Sequence, residues 1–256
     1  MAIVSRAGRL SRDRSKASVP AGTRVYAIGD SHGCADRLEA LHDAIMEDSA
    51  QAETGAETGA GRRVVVYLGD YVDRGANSRA LLDLLIERPL AGFESVHIMG
   101  NHDEFLANFL NGTGDLGLWL YNGGDATLRS YGVDPATIYG NAPQIHGELL
   151  DRVPDRHIDF LNGLRPSHVE GDYLFVHAGI RPGVPLEDQD PKELRWIREP
   201  FLSWPDSHGK VVVHGHTPTR EPAVRANRIG IDTGAVYGGP LTALVLEGAE
   251  RRFLQV

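Results

Sequence analysis

An α/β fold with a largely parallel sheet is what the sequence predicts, and three observations carry the prediction. Short apolar runs end one after another in a glycine and a polar residue: Arg24–Ile28 before Gly29-Asp30, Val64–Leu68 before Gly69-Asp70, and Ser95–Met99 before Gly100-Asn101. Each run is followed by a stretch whose apolar residues recur at helical spacing. Strands joined by helical crossovers lie parallel, because the crossover returns the chain to the same end of the sheet.

The first crossover helix is expected over Asp36–Met46, where Leu38, Leu41, Ala44 and Ile45 share a face. Glu47–Gly61 lacks large apolar residues and is rich in Gly, Thr and Glu, so it reads as an exposed, mobile loop. Val64–Leu68 is a continuous apolar run, the pattern of a strand covered on both faces. Ser78 can cap a second helix, with Leu81, Leu84 and Leu85 inward and Pro89 as its stop. A third helix follows Asn101, with Phe105, Leu106, Phe109 and Leu110 on one side. Residues 111–166 are helical and irregular, and are expected to form a cap inserted into the domain. Strand patterns resume at Asp172–Val176, Lys210–Val213, Ile229–Thr233 and Leu241–Leu246. No linker composition divides residues 23–256, which are expected to form a single domain behind a flexible basic tail, residues 1–22, carrying Arg6, Arg9, Arg12, Arg14 and Lys16.

Of the 256 residues, 41% are hydrophobic and 24% charged, which suits a globular chain able to bury a sizeable core. The formal net charge of −9 argues against a nucleic-acid partner, which calls for a basic face. One cysteine, Cys34, excludes an intramolecular disulfide and points to a reducing, cytoplasmic setting; its own reading is a small packed residue. No apolar run is long enough to span a bilayer, and the basic N-terminus lacks the apolar core of a secretory signal.

Five strand ends carry polar residues: Asp30 and His32; Asp70, Asp73 and Arg74; Asn101 and His102; His177; His214 and His216. Ligands of open α/β sheets sit outside the carboxyl ends of the strands, so these side chains can converge. Carboxylate, imidazole and amide oxygen without thiolate suit Mn²⁺ first, then Fe or Zn²⁺, rather than Ca²⁺. There are more such groups than one ion needs, so two divalent ions are expected, with a hydroxide bridging them as the nucleophile. Arg74 and Arg198 suit the clamping of phosphate oxygens, because guanidinium is planar and permanently charged. Asp73 can orient His102 as a general acid for the leaving alkoxide. His42, His97, His146, His157, His168 and His208 have no comparable context and are assigned to surface or core.

GDSHG, GDYVDRG, GNHD, HAG and HGHTP, in this order over about residues 24–246, resemble the phosphoprotein phosphatase family of dinuclear metallophosphoesterases, and within it the compact bacterial serine/threonine phosphatases. The resemblance implies a β-sandwich flanked by helices, the four-layer αββα arrangement of calcineurin-like enzymes. It implies that Asp30, His32 and Asp70 hold one metal, and that Asp70, Asn101, His177 and His216 hold the other. Arg74, Arg198, Asn101 and His102 would then serve the phosphate. His214, two residues before the expected ligand, is assigned to support of the ligands rather than ligation. Asp103 stands where the protein phosphatases of the family usually have glutamate. The implied activity is a phosphomonoesterase acting on phosphoserine or phosphothreonine, or on a small phosphate ester. The alternative is a symmetrical bis(5'-nucleosyl)-tetraphosphatase, a branch that tends to lack the aspartate present here as Asp73. A metal-bound interaction protein without catalysis is a third class, which the full set of ligands, arginines and acid argues against.

Overall fold

The computed structural model describes residues 17–55, 61–134 and 141–256. Strand β1 (Thr23–Ile28) leads into helix α1 (Ala35–Gly55), β2 (Arg62–Tyr67) into α2 (Ser78–Glu87), and β3 (Glu94–His97) into α3 (Asn101–Leu110). Four helices follow: α4 (Leu116–Tyr121), α5 (Gly124–Ser130), α6 (Ala142–Leu150) and α7 (Asp155–Asn162). The chain then passes through β4 (Ser167–Glu170), β5 (Tyr173–Val176), helix α8 (Pro191–Trp196), β6 (Val211–His214), β7 (Ala223–Val224), β8 (Arg228–Gly230), β9 (Thr242–Glu247) and β10 (Glu250–Gln255).

These strands form two mixed sheets, not one largely parallel sheet. The first has the order β10-β9-β1-β2-β3, with β1, β2 and β3 mutually parallel and β9 and β10 antiparallel. The second has the order β4-β5-β6-β8-β7, with β5, β6 and β8 parallel between two antiparallel edges. Helical crossovers predicted the parallel centre of the first sheet correctly; the hairpin return of β9 and β10 escaped that pattern.

Alternation along the strands builds the layers. Val64, Val66 and Leu68 face the second sheet, while Val65 and Tyr67 face the helices. In β5, Tyr173 and Phe175 point inward and Leu174 and Val176 point outward, onto Leu194 of α8 and the Ile197–Phe201 segment. The order is therefore helices, sheet, sheet, and a thin outer layer in which α8 is a single six-residue helix. Full burial of side chains such as Val64 and Val66 contributes about 1.5–3 kcal/mol each.

The helices between residues 111 and 166 do not stand apart as a lid. Trp119, Leu128, Tyr131, Ile145, Leu149 and Leu161 are buried in the same cluster as Leu38, Leu81 and Leu106. The expected loop after Met46 is also corrected, because α1 continues to Gly55. Its extra turns are anchored: Ser49 is buried, and Asp48 accepts a hydrogen bond from the Tyr26 hydroxyl (2.7 Å) and pairs with Arg252. Ala, Glu and Gln favour a helix even without a broad apolar face. Residues 56–60 of that expected loop, and 1–16 of the expected tail, lie outside the described residues.

Residues 17–19, assigned to the tail, are packed, while residues 20–22 are exposed. Val19 is buried between the sheets and donates its N–H to Gly248 O (3.0 Å), in the turn joining β9 to β10. Ser18 exchanges bonds with Asp172, in the turn joining β4 to β5. Among the described residues no helix is long and apolar enough to cross a membrane.

Candidate active site

The central strands of both sheets deliver their carboxyl ends to one seam. Asp30 and His32 follow β1, Asp70 to Arg74 follow β2, Asn101 and His102 open α3, His177 follows β5, and His216 follows β6. The two sheets meet through these residues: the His216 N–H donates to Asp30 Oδ2 (2.9 Å), and His177 Nε2 lies 3.4 Å from Asp70 Oδ2.

Reaching this arrangement distorts the backbone. Among the described residues, the non-glycine positions with left-handed φ are His32 (38°), Asp70 (53°), Asp73 (70°), Arg74 (67°) and His216 (63°). Each costs about 1–2 kcal/mol, and all five belong to the predicted site. Each is held by a bond from its own N–H: His32 to Asp70 O (2.8 Å), Asp70 to Asp103 Oδ2 (2.8 Å), Asp73 to Thr127 Oγ1 (2.8 Å), Arg74 to Gly123 O (3.0 Å) and His216 to Asp30. Asp103 also accepts from Tyr71 N (2.9 Å) and Gly100 N (2.9 Å), so its carboxylate staples the turn that carries Asp70. Gly215 and Gly75 permit the closest approaches: a Cβ would lie 1.9 Å from Asp30 Oδ1 at the first and 1.9 Å from His32 O at the second.

Lone pairs converge at the centre. The Nδ1–H of His177 donates to Leu68 O (2.8 Å), and that of His32 to Val72 O (2.8 Å). With the protons so placed, both Nε2 atoms are acceptors. His177 Nε2 nevertheless faces Asn101 Oδ1 at 3.0 Å and Asp70 Oδ2 at 3.4 Å, and His32 Nε2 faces Asp70 Oδ2 at 3.4 Å. Acceptors aimed at one another need a cation between them; at His32 the Arg74 guanidinium supplies one, and at His177 no donor does. Buried Asp30 Oδ1, His102 Nε2 and His216 Nε2 have no hydrogen-bond partner. Candidate ligand atoms fall into two groups, His32–Asp70–His102 and Asp70–His177–His216, each within 4.8 Å and sharing Asp70. The residues present fit a dinuclear centre.

Electrostatics agree with that fit. Burial drives His32 down to about 3 and His216 to about 2, so both offer neutral imidazoles. Burial also lowers His177. Burial, followed by the charges of Asp232 and Asp70, pushes Asp30 well up. A bound cation would relieve that repulsion.

His102 is different. Its Nδ1–H donates to Asp73 Oδ2 (2.8 Å), and burial's downward pull on its pKa is outweighed by Asp70 and Asp73, so it is raised. The Asp73 carboxylate is fully buried and also accepts from Trp119 Nε1 (3.0 Å to each oxygen) and Thr127 Oγ1 (2.7 Å). Trp119 and Thr127 come from α4 and α5, the segment in which sequence reasoning found no chemistry. A tryptophan on a helix reads as core, so no signal marked it. Asp232, buried and after β8, was missed as well. Its signal was present: Ile229-Gly230-Ile231 ends in Asp-Thr-Gly, the same apolar-run-then-carboxylate pattern.

Arg74 and Arg198 are exposed at the rim. The Arg74 guanidinium donates to His32 Nε2 (2.7 Å) and lies over the Tyr237 ring (5.8 Å). The Arg198 guanidinium has no hydrogen bond or ion pair among the described residues, and its charge reaches His216. Arg195 is instead paired with Glu104, which also accepts from Trp196 Nε1 (3.2 Å).

His214 is not brought to the centre. Alternation along β6 sets it on the face of Val212, not of Val213, and its ring lies edge-on to Phe201 (5.1 Å). It belongs to neither ligand group. Its Nδ1–H donates to Gly215 O (3.0 Å), in the turn that carries His216, so it braces that turn instead of ligating. Cys34 is half-buried, with its Sγ directed at His32 O (3.7 Å).

Known proteins place this geometry. Bis(5'-nucleosyl)-tetraphosphatase PrpE [asymmetrical] of Bacillus thuringiensis (strain Al Hakam) is 27% identical over 229 residues, covering 85% of this chain and 88% of its own. The protein of the same name from Bacillus mycoides (strain KBAB4) is 28% identical over 233 residues, with the same coverage of 85% and 88%. A solved structure provisionally named a diadenosine tetraphosphatase has a TM-score of 0.59 at 24% identity, over 94% of this chain and 98% of its own. A serine/threonine phosphatase of Saccharomyces cerevisiae has a TM-score of 0.50 at 15% identity, over 88% and 72%, a likeness of fold. The model of the calcineurin-like phosphoesterases matches residues 23–239, and the chain belongs to that family.

Proposed function

We propose that this chain is a phosphomonoesterase in which His102 protonates the departing oxygen. The observation that carries the reading is the buried His102–Asp73 pair, whose other nitrogen, Nε2, has no hydrogen-bond partner, in a histidine that clusters with Asp70 and His32. Asp30, His32 and Asp70 would hold one divalent ion, and Asp70, Asn101, His177 and His216 the other, with Mn²⁺ the first choice for this nitrogen and oxygen set. Such a pair supplies Lewis acidity and a water acidic enough to ionise near neutral pH. Arg74 and Arg198 bind the phosphate and orient it, Asn101 and His102 border it from α3, and Asp73 keeps His102 charged and fixed. Trp119 and Thr127 hold Asp73 in place.

An acid of this kind matters most when the leaving group is an alkoxide, which supports phosphoserine or phosphothreonine as substrate. A second reading has one specific observation behind it, the asymmetrical tetraphosphatase names of the relatives. Asp73 argues against the symmetrical alternative and leaves asymmetrical cleavage open.

The test is a matched comparison of a phosphoserine peptide, diadenosine tetraphosphate and p-nitrophenyl phosphate with Mn²⁺-loaded protein. Preferred turnover of the peptide supports the first reading. Preferred turnover of the dinucleotide would replace it with the second, and no turnover of any of the three would remove the enzymatic assignment.

A further inference from the structure

An aromatic ring stands at the rim with no core to serve. Tyr237 is 65% exposed and is presented by a short helical turn, Ala235–Tyr237, flanked by Gly234 and Gly238, both left-handed. The loop is rigidly pinned. Gly234 N donates to Asp232 Oδ1 (3.0 Å), Gly239 N donates to Gly234 O (3.0 Å), Thr233 Oγ1 donates to Pro240 O (2.6 Å), and the Arg37 guanidinium donates to Gly239 O. A large ring held out in water by so many bonds loses the burial that would ordinarily explain it.

Its position explains it. The Arg74 guanidinium bridges His32 Nε2 (2.7 Å) and the Tyr237 ring (5.8 Å), so the ring sits one guanidinium from the ligand cluster. A nucleotide sets its base one sugar away from the phosphate, a span of the same order. Phosphoserine and phosphothreonine bring no ring to that place. We infer that Tyr237 is a stacking platform for a nucleobase, and that the substrate whose phosphate meets Arg74 is a nucleoside phosphate. The inference rests on the reading of the site as a phosphate site, and among the substrates named above it favours the nucleotide over the phosphorylated protein.

Full-length, Mn²⁺-loaded protein is titrated calorimetrically with AMP, with inorganic phosphate and with a phosphotyrosine peptide, for the parent, Tyr237→Ala, Tyr237→Trp and Tyr121→Ala. Tyr121 is 90% exposed, two residues before Gly123, whose carbonyl holds Arg74 N, and serves as the neighbouring control. AMP binding to Tyr237→Ala should weaken roughly five- to hundred-fold, the worth of one base–aromatic stack. Phosphate binding should be unchanged, Tyr237→Trp should bind AMP like the parent, and Tyr121→Ala should alter nothing. Equal weakening of AMP and phosphate would overturn the platform, since Tyr237 would then act only through Arg74. Loss confined to the phosphotyrosine peptide would overturn the nucleotide assignment. A parent that cleaves phosphoserine yet binds AMP no better than phosphate would sink the platform and leave the hydrolase standing. A parent that turns over no ester, but whose AMP affinity falls selectively in Tyr237→Ala, would do the reverse.

Discussion

The floor of the site and its rim obey opposite rules. On the floor, Asp30, Asp70, Asp73, Asn101, His102 and His177 are at most 3% exposed. The three left-handed residues among the floor and its edge that carry carboxylates or imidazoles from the first sheet, His32, Asp70 and Asp73, have their N–H groups tied by named bonds. On the rim, Arg74, Arg198 and Tyr237 are exposed, and Arg198 has no fixed partner among the described residues. Stored backbone strain and satisfied hydrogen bonds fix the floor to one geometry. The rim keeps side-chain freedom, so the proposed chemistry and the proposed substrate choice fall to different parts of the molecule.

Breaking the floor should have the largest effect. Asp70→Asn removes the carboxylate shared by both ligand groups, and elemental analysis should show both ions depleted and turnover lost. Retention of two ions per chain would contradict its bridging place. His102→Asn leaves the proposed ligands intact and should lower turnover of phosphoserine by roughly 10²–10⁴. An aryl phosphate, whose leaving group needs little protonation, should lose less; equal losses on both substrates would reject the acid.

Trp119→Phe keeps the ring in the core and deletes one donor to Asp73. Turnover of the poor leaving group should fall roughly ten- to hundred-fold, with metal content unchanged, because a support for a functional group is typically worth that much. A drop in stability without that leaving-group selectivity would reduce Trp119 to packing. At the rim the effect should be smaller again. Arg198→Ala should weaken inhibition by inorganic phosphate about ten-fold, near the lower end for a charge-assisted pair, since the side chain is exposed. Unchanged inhibition would place the clamp elsewhere, with Arg195 an unsuitable substitute while Glu104 holds it.

The weakest contrast lies outside the site. His42 bonds to the Tyr67 hydroxyl (2.9 Å) and His97 stacks on the Tyr67 ring (4.8 Å); burial drives both down to about 4. The unfolded chain takes up protons near pH 6.5, whereas the folded one resists until about 4. Stability from each neutral imidazole is therefore present above 6.5 and is lost as pH falls toward 4, by up to about 3 kcal/mol. In urea melts across that window, His97→Phe should lose less stability than the parent.

How far the sequence revealed this molecule follows the same division. Asp30, His32, Asp70 and Asn101 stood out because a strand ending in glycine and a polar residue is a local pattern, and His177 because it ends an apolar run directly. Asp73 and His102 were legible as a pair by the logic of their chemistry. The donors to Asp73 were not, because Trp119 and Thr127 reach it from 46 and 54 residues away and carry no periodic signal. The outward turn of His214 was not legible, because Val211-Val212-Val213 is apolar on both faces and hides the alternation. The fold class was legible from crossovers, and the second sheet was legible only through the family resemblance, since short strands with hairpin edges leave little pattern of their own.

The short segment from Ala17 to Val19 carries a consequence for trimming the chain. It bonds to the β9–β10 turn of one sheet and the β4–β5 turn of the other, at the end of the sandwich remote from the ligand cluster. It is a clasp across two leaves whose opposite ends carry the candidate ligands, Asp70 on one and His177 and His216 on the other. A truncation cut at Thr23, where the strand pattern begins, would remove the clasp and let the leaves pivot. Such a shortened protein should bind divalent ions less tightly and be nicked faster by protease, although every proposed ligand and every proposed catalytic side chain remains in place.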